Sequence, residues 1–240
     1  MSFTALRREL TALERWALPA ECLLCREPIA RSEGDALVCG LCRRRWRALP
    51  EPVCDRCGQP AKADFECRVC AGWSAGLGRV RSAVWLSDGA RYAVHQLKYE
   101  GWWRVAEAMA QAMRGLEPLR GRGLILVPVP LAARRQQGRG YNQSERIARE
   151  LGRQLGLAVR DDLLQRVRET GTQTALTPEG RRANVADCFA GGVAQGLALV
   201  VVDDVFTTGA TLEAAAAALV AAGAEKVEAV TFARARLPVG

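Results

Sequence analysis

Between Leu197 and Leu219 the chain reads LALVVVDDVFTTGATLEAAAAAL, and the order of its parts leaves few folds open. Leu197, Leu199 and Val200 to Val202 form a short, β-branched apolar run, the composition of a strand buried on both faces of a parallel sheet. Asp203 to Thr211 reads as a polar loop. A helical pattern follows, with Leu212, Ala216, Leu219 and Val220 on one face and Gly223 placed to stop it. The loop therefore joins the carboxyl end of a strand to the amino end of a helix, where the first N–H groups lack internal partners and carry partial positive charge. Such a terminus takes an anion. Gly209 lets backbone approach closely, and Thr207, Thr208 and Thr211 add hydroxyl donors. Asp203 and Asp204 would repel a phosphate, but ionised carboxylates only accept hydrogen bonds and so suit a sugar diol. The ligand these residues describe together is a phosphorylated ribose. A capped helix after a buried strand, with the two acids merely ending the strand, is the plainer alternative.

This stretch resembles the phosphoribosyl pyrophosphate (PRPP) loop of type I phosphoribosyltransferases: an apolar strand, two acids, then a TTGxT-like turn. The resemblance implies that Asp203 and Asp204 hold the ribose hydroxyls as catalytic residues. It also implies that Phe206, Thr207, Thr208, Gly209, Ala210 and Thr211 wrap the 5′-phosphate, with Val205 beside them.

Eight of the nine cysteines form four CxxC pairs, Cys22/Cys25, Cys39/Cys42, Cys54/Cys57 and Cys67/Cys70. A CxxC turn presents two thiolates to one tetrahedral ion, and two turns complete a structural zinc site. Pairing neighbours in sequence gives one zinc on Cys22, Cys25, Cys39 and Cys42 and a second on Cys54, Cys57, Cys67 and Cys70. An interleaved pairing is the alternative. With four sulfur ligands no position stays open for water, so both sites read as structural. The segment is too short for much hydrophobic core of its own. It is expected to melt as a separate unit on chelation. Between and after the knuckles lie Arg43, Arg44, Arg45, Trp46 and Arg47, then Trp73. Arginines beside exposed aromatics would suit single-stranded nucleic acid, whose bases stack while its phosphates take the charge. Alternatively, Trp46 fills the ribbon core and the arginines are solvated.

The 240 residues suffice for an N-terminal helix and double ribbon (1–75) and one α/β domain (76–240). No apolar run reaches the roughly 18–20 residues of a membrane span. The start alternates charge with Leu6, Leu10 and Leu13 at helical spacing, unlike a signal peptide, so a cytoplasmic protein is expected. Net charge is +8, mostly through arginine beyond residue 75, which favours phosphate-bearing partners. The single histidine, His95, leaves little scope for a Ser-His-Asp triad.

The remaining chain supplies a second strand–loop–helix unit. Val80 to Leu86 reads as a strand and Asp88-Gly89 as a turn. Helical spacing then runs to Tyr99 and again from Trp103 to Met113. Leu124 to Val129 is a buried strand ended by Pro128 and Pro130, which fit poorly inside a sheet. A cationic loop follows with Arg134, Arg135 and Arg139, then a helix from near Ser144 to Leu155. Arg166 to Val185 is polar and aperiodic, which usually means a functional lid or disorder, a surface loop without a role being the plainer alternative. Its arginines, Arg181 among them, would reach a substrate on closure and steady a pyrophosphate leaving group. Lys226 to Ala233 reads as the last strand.

Taken together these pieces resemble the ComF family of phosphoribosyltransferase-like competence proteins. The resemblance rests on the cysteine pairs, Lys98-Tyr99-x-Gly101, VPVP with RGYNQ (Arg139 to Gln143), Gln173-Thr174 with Asn184, and VVVDDVFTTGAT. Tyr141 stands where the family more often has Phe. The family implies a type I phosphoribosyltransferase fold, a parallel sheet flanked by helices, behind a double zinc ribbon. It implies Mg²⁺ bound with PRPP, and a pyrophosphate subsite at Pro130, Arg134, Arg135 and Arg139 with Lys98. Its partners would be single-stranded DNA and competence-machinery proteins during natural transformation. The carboxyl-terminal part also resembles amidophosphoribosyltransferases, without the N-terminal nucleophile cysteine of their glutaminase. Phe206 occupies a position where many related enzymes carry an acid or lysine that assists a nucleobase. Three readings follow: a transferase with an unknown acceptor, a PRPP-sensing regulator, and a DNA-handling module.

Overall fold

The computed structural model describes residues 20–61, 67–168 and 188–236. Five strands form a wholly parallel sheet: β1 (Val80–Trp85), β2 (Ile125–Pro128), β3 (Ala158–Val159), β6 (Ala198–Phe206) and β7 (Lys226–Arg234). Their order is β1-β7-β6-β2-β3, so the chain leaves β2 toward one edge and β6 toward the other. The crevice between the carboxyl ends of β2 and β6 is thus a topological switch point, where open α/β sheets bind ligands.

Alternation along β6 builds two cores. Val200 and Val202 point to a cluster with Leu97, Met109 and Ile147, from helices α2 (Asp88–Tyr99), α3 (Val105–Met113) and α5 (Gln143–Leu155). Leu199 and Val201 point to the other face, covered by Leu212, Ala216 and Leu219 of α6 (Ala210–Ala221). That face also carries an antiparallel pair, β4 (Leu164–Arg166) with β5 (Phe189–Gly191). Burial of both faces accounts for the unbroken apolar run that marked this strand.

Several expectations change in detail. The central strand continues through both acids to Phe206, so the loop proper is only Thr207 to Gly209. Asp88 and Gly89 open α2 rather than forming a separate turn. Arg134 to Arg139 is helical, in α4 (Ala133–Arg139), a helix with no buried residue and hence no periodicity to read. Pro128 lies within β2, register partner of Val202. Since Val129 N donates to Val202 O (3.0 Å), the preceding nitrogen faces the β3 side, where pairing stops at Leu126, so its missing N–H costs no ladder bond. The amphipathic helix expected over 3–17 and the lid residues Gln173, Thr174, Arg181, Arg182 and Asn184 lie outside the described residues.

The cysteine-rich segment is packed into the sheet. Its two knuckles repeat one design: Cys22 N donates to Glu27 O and Cys54 N to Gln59 O, both at 2.8 Å. Its short helix α1 (Gly40–Arg44) is capped by Cys39, whose sulfur accepts from Cys42 N. Trp46 stacks edge-on to Phe232 of β7 at 4.9 Å. Val80 N donates to Arg56 O (2.7 Å) and Trp85 N to Arg47 O (2.8 Å), so the ribbon covers the free edge of β1. Cys22, Cys39 and Cys42 belong to the first core cluster and Cys57, Cys67 and Cys70 to the second. A ribbon that melts alone is therefore not what this packing supports.

Candidate functional site

A cleft of about 860 Å³ opens over the switch point. The end of β6 and the turn after it contribute Asp203, Asp204, Val205, Thr207 and Thr211; the segment after β2 contributes Val129, Pro130, Leu131, Arg135, Gly138 and Arg139; Lys98, Tyr99, Gly101, Gln143 and Arg166 complete the lining. The two segments singled out in the sequence, far apart along the chain, thus line one cavity.

The acids differ in surroundings. Asp204 is buried (3% exposed), and its Oδ2 pairs with Lys98 Nζ from the last turn of α2. Asp203 is half-buried, and its Oδ1 accepts from Ser144 Oγ (2.7 Å) and Asp204 N (2.9 Å). Burial and the adjacent Asp204 carboxylate push the Asp203 carboxyl up to about 7; Ser144, Lys98 and the Asp204 N–H act against the rise. Burial alone would lower the Lys98 ammonium, yet the charges of Asp204 and Asp203 carry it above its usual range. Lys98 is therefore a fixed cation at the strand end.

Ser144 and Asn142 were missed in the sequence as site residues. Asn142 caps α5 by accepting from Ser144 N (3.1 Å), while its Nδ2 donates to Val129 O (2.9 Å). This ties the helix start to the β2 end and aims Ser144 at Asp203. An Asn-x-Ser at a predicted helix start was the available signal. The hydroxyl of Tyr141, just before α5, donates to Leu97 O of α2.

On the cationic wall Arg135 and Arg139 line the cleft, and Arg139 donates to Gln143 Oε1. Arg134 is exposed on α4, outside the lining. Among the loop residues, Phe206 is 1% exposed with its ring turned away, and Thr208, Gly209 and Ala210 are not part of the lining. Gly209 adopts φ +86°, a conformation that suits glycine, and caps α6.

The cysteines group as sequence neighbours, each set of four sulfurs lying within 4.8 Å of one another. Sulfurs on a tetrahedral zinc with bonds of about 2.3 Å stand about 3.8 Å apart. Here Cys25–Cys39 measures 3.8 Å, Cys54–Cys70 3.7 Å and Cys57–Cys67 3.4 Å. The fully buried guanidinium of Arg234 lies 3.8 Å from Cys57 Sγ, and a zinc tetrathiolate would supply the negative charge it needs. Both sites fit structural zinc. The expected aromatic surface beside Arg43 to Arg47 is not formed, because Trp46 and Trp73 are each only 6% exposed. Arg43 instead donates to Gln111 of α3. Among the described residues the large exposed aromatics lie elsewhere, at Tyr99 (68%), Trp102 (45%), Trp103 (43%) and Tyr92 (38%).

Residues 13–71 match the Double zinc ribbon domain family and residues 139–237 the Phosphoribosyl transferase domain family. The chain is 35% identical over 219 residues to the DNA utilization protein YhgH of Salmonella typhi, covering 88% of this chain and 95% of that protein. The chain belongs to the ComF family. It is also 26% identical to Competence protein ComFC of Bacillus subtilis, over 84% of this chain and 89% of that protein. Competence protein F of Haemophilus influenzae is 35% identical over 46% of this chain and 50% of its own length. No helix among the described residues of this ComF-family chain is long and apolar enough to cross a membrane.

Proposed function

We propose that the cleft binds PRPP, with the 5′-phosphate at Thr207 to Thr211, the ribose hydroxyls on Asp203 and Asp204, and the pyrophosphate toward Pro130, Arg135 and Arg139. The observation that carries this is that acids, the turn into a helix amino terminus, and arginines line one cavity at the switch point. The paired carboxylates beside that cationic wall suit Mg²⁺ held together with a pyrophosphate-bearing ligand, since Mg²⁺ needs few protein oxygens when phosphates share it. Asp203 and Asp204 are the residues that would hold it. Bound Mg²⁺ would neutralise charge on the departing pyrophosphate. Lys98 and Arg135 stand ready to take up the remainder, and Arg181 of the segment outside the described residues would join them. No acid or lysine replaces Phe206 to assist a nucleobase, which favours PRPP binding over transfer to a base.

Asp203 must ionise to accept two hydroxyls, and its carboxyl sits at about 7. PRPP affinity should therefore rise about tenfold from pH 6 to pH 8, by isothermal titration calorimetry with Mg²⁺ present. Inorganic pyrophosphate, which lacks the ribose, should show a shallower rise. No heat of binding for PRPP at pH 8 would end this reading.

Single-stranded DNA contact is proposed on a different surface from the one the sequence suggested. Arg146 lies 4.8 Å from the Trp103 ring and Arg139 5.5 Å from the Tyr99 ring, so two exposed rings each have an arginine beside them, the second pair in the cleft lining. Stacking platforms with adjacent arginines suit unpaired bases. The names of the relatives, DNA utilization protein and competence protein, support a role in DNA handling. Tyr99→Ala with Trp103→Ala should weaken binding of a labelled oligothymidylate about tenfold or more, each stacked base being worth about 1–3 kcal/mol. Replacing Arg44, Arg45 and Arg47 with Ala should change it less. The opposite ranking would return the DNA surface to the ribbon.

A further inference from the structure

The second cysteine cluster lies directly behind the phosphate loop. The indole of Trp73, three residues after Cys70, fills the space that a side chain on residue 209 would occupy. A Cβ there would collide with Trp73 Cζ2 and stand 3.1 Å from both Trp73 Cε2 and Phe206 Cε2. Glycine at 209 thus serves the ribbon as well as the loop. Trp73 and Phe206 pack at 6.0 Å between ring centroids. Behind Phe206, the Arg234 guanidinium lies 4.0 Å from its ring centroid and donates to Cys57 O (2.8 Å) and Gln59 Oε1 (3.0 Å). Arg56 steadies the indole from the ribbon side, donating to Trp73 O (3.3 Å) and lying 5.7 Å from the ring. A further tie is polar: Ser74 N donates to Glu213 Oε1 (3.0 Å) in the first turn of α6.

The first cluster has no such position. Its tryptophan, Trp46, packs on Phe232 within the opposite core. The ribbons are alike in cysteine spacing and unlike in what they touch.

We infer that Trp73 and Arg234 are positioning residues for the phosphate loop, through which the second cysteine cluster, and not the first, sets the cleft's affinity for a phosphate monoester. This rests on the reading of Thr207 to Thr211 as the 5′-phosphate site. The loop offers an anion only its backbone N–H groups and threonine hydroxyls, so its affinity depends on how those donors are aimed. Trp73 and Phe206 hold Gly209 in its left-handed conformation from behind, and Glu213 fixes the helix that the loop enters. On the pyrophosphate side Val127 and Val129 share the second core with Trp73, but the arginines Arg135 and Arg139 stand on α4, a helix with no buried residue and so outside that core.

Matched variants test it. The Trp73 indole N–H has no hydrogen-bond partner among the described residues, nor does that of Trp46, so a Phe replacement at either position removes ring contact alone. Ribose 5-phosphate and inorganic pyrophosphate would each be titrated into the full-length zinc-loaded protein. Trp73→Phe should lose about tenfold in ribose 5-phosphate affinity with pyrophosphate affinity unchanged, whereas Trp46→Phe should alter neither. Glu213→Ala, on the surface, should give a smaller loss with the same selectivity and serves if Trp73→Phe does not fold. Equal behaviour of the two Phe variants, or parallel loss of both ligands, overturns the inference. A wild-type protein that binds neither ligand overturns the phosphate-site reading itself.

Discussion

Asp203→Asn should abolish measurable PRPP binding while leaving the protein as stable as before, or more so. The carboxylate accepts two hydroxyls where an amide accepts one and presents a donor to the other. Each charged hydrogen bond lost costs about 1.5–3 kcal/mol, so the double variant with Asp204→Asn should bind at least about a hundredfold more weakly. The stability effect has the opposite sign for the two residues. Burial and Asp204 raise the Asp203 carboxyl from 3.8 to about 7, so its ionisation is disfavoured in the folded state. That contribution favours folding at low pH and is lost as pH rises through 7. The gain in Tm from Asp203→Asn should accordingly grow between pH 5 and pH 8. Asp204→Asn instead strips Lys98 of its partner and should destabilise by roughly 1–3 kcal/mol. Thermal denaturation beside calorimetry separates these effects. Binding by Asp203→Asn at wild-type strength would reduce the loop to a capped helix.

Metal removal should have the largest effect on stability. Native mass spectrometry should find two zinc ions per chain, and a strong chelator at neutral pH should unfold the sheet along with the ribbon. Apparent binding energies of structural zinc, about 10–16 kcal/mol, match or exceed the whole stability of an ordinary domain, about 5–15 kcal/mol. Here the ribbon's loss would also remove Trp46 from Phe232 and Trp73 from Phe206. It would leave the β1 edge bare, so aggregation should accompany unfolding. Burial raises the Cys22 and Cys54 thiols, but neighbouring N–H and thiol groups outweigh it and hold both at about 7, ready to bind as thiolates. A chain without metal, or a sheet transition unmoved by chelation, would contradict this.

What could be read beforehand followed local chemistry. β6, its acids and the α6 amino terminus are one continuous segment whose residues each state their own requirement. The neighbouring CxxC pairs behaved in the same way. What escaped depended on distant partners. Trp46 and Trp73 looked like surface aromatics because the segment has too little core to bury them; the sheet supplies the rest. Ser144 acquires its role only when α5 delivers it to the β6 end, and Lys98, expected at the pyrophosphate subsite, meets Asp204 only through α2. The helix α4 stayed hidden because none of its residues is buried. Gly209 was assigned to the ligand alone, since nothing in the loop reveals the indole behind it.

The proposed site requires one cleft to hold both ends of a phosphoribosyl pyrophosphate. Its most direct test is a crystal structure of the protein with PRPP and Mg²⁺. The predicted result is density for the 5′-phosphate on the N–H groups of Thr207 to Thr211, ribose hydroxyls on Asp203 and Asp204, and pyrophosphate against Pro130 and Arg135. An empty cleft at saturating ligand, or PRPP bound away from the β2–β6 switch point, would contradict it.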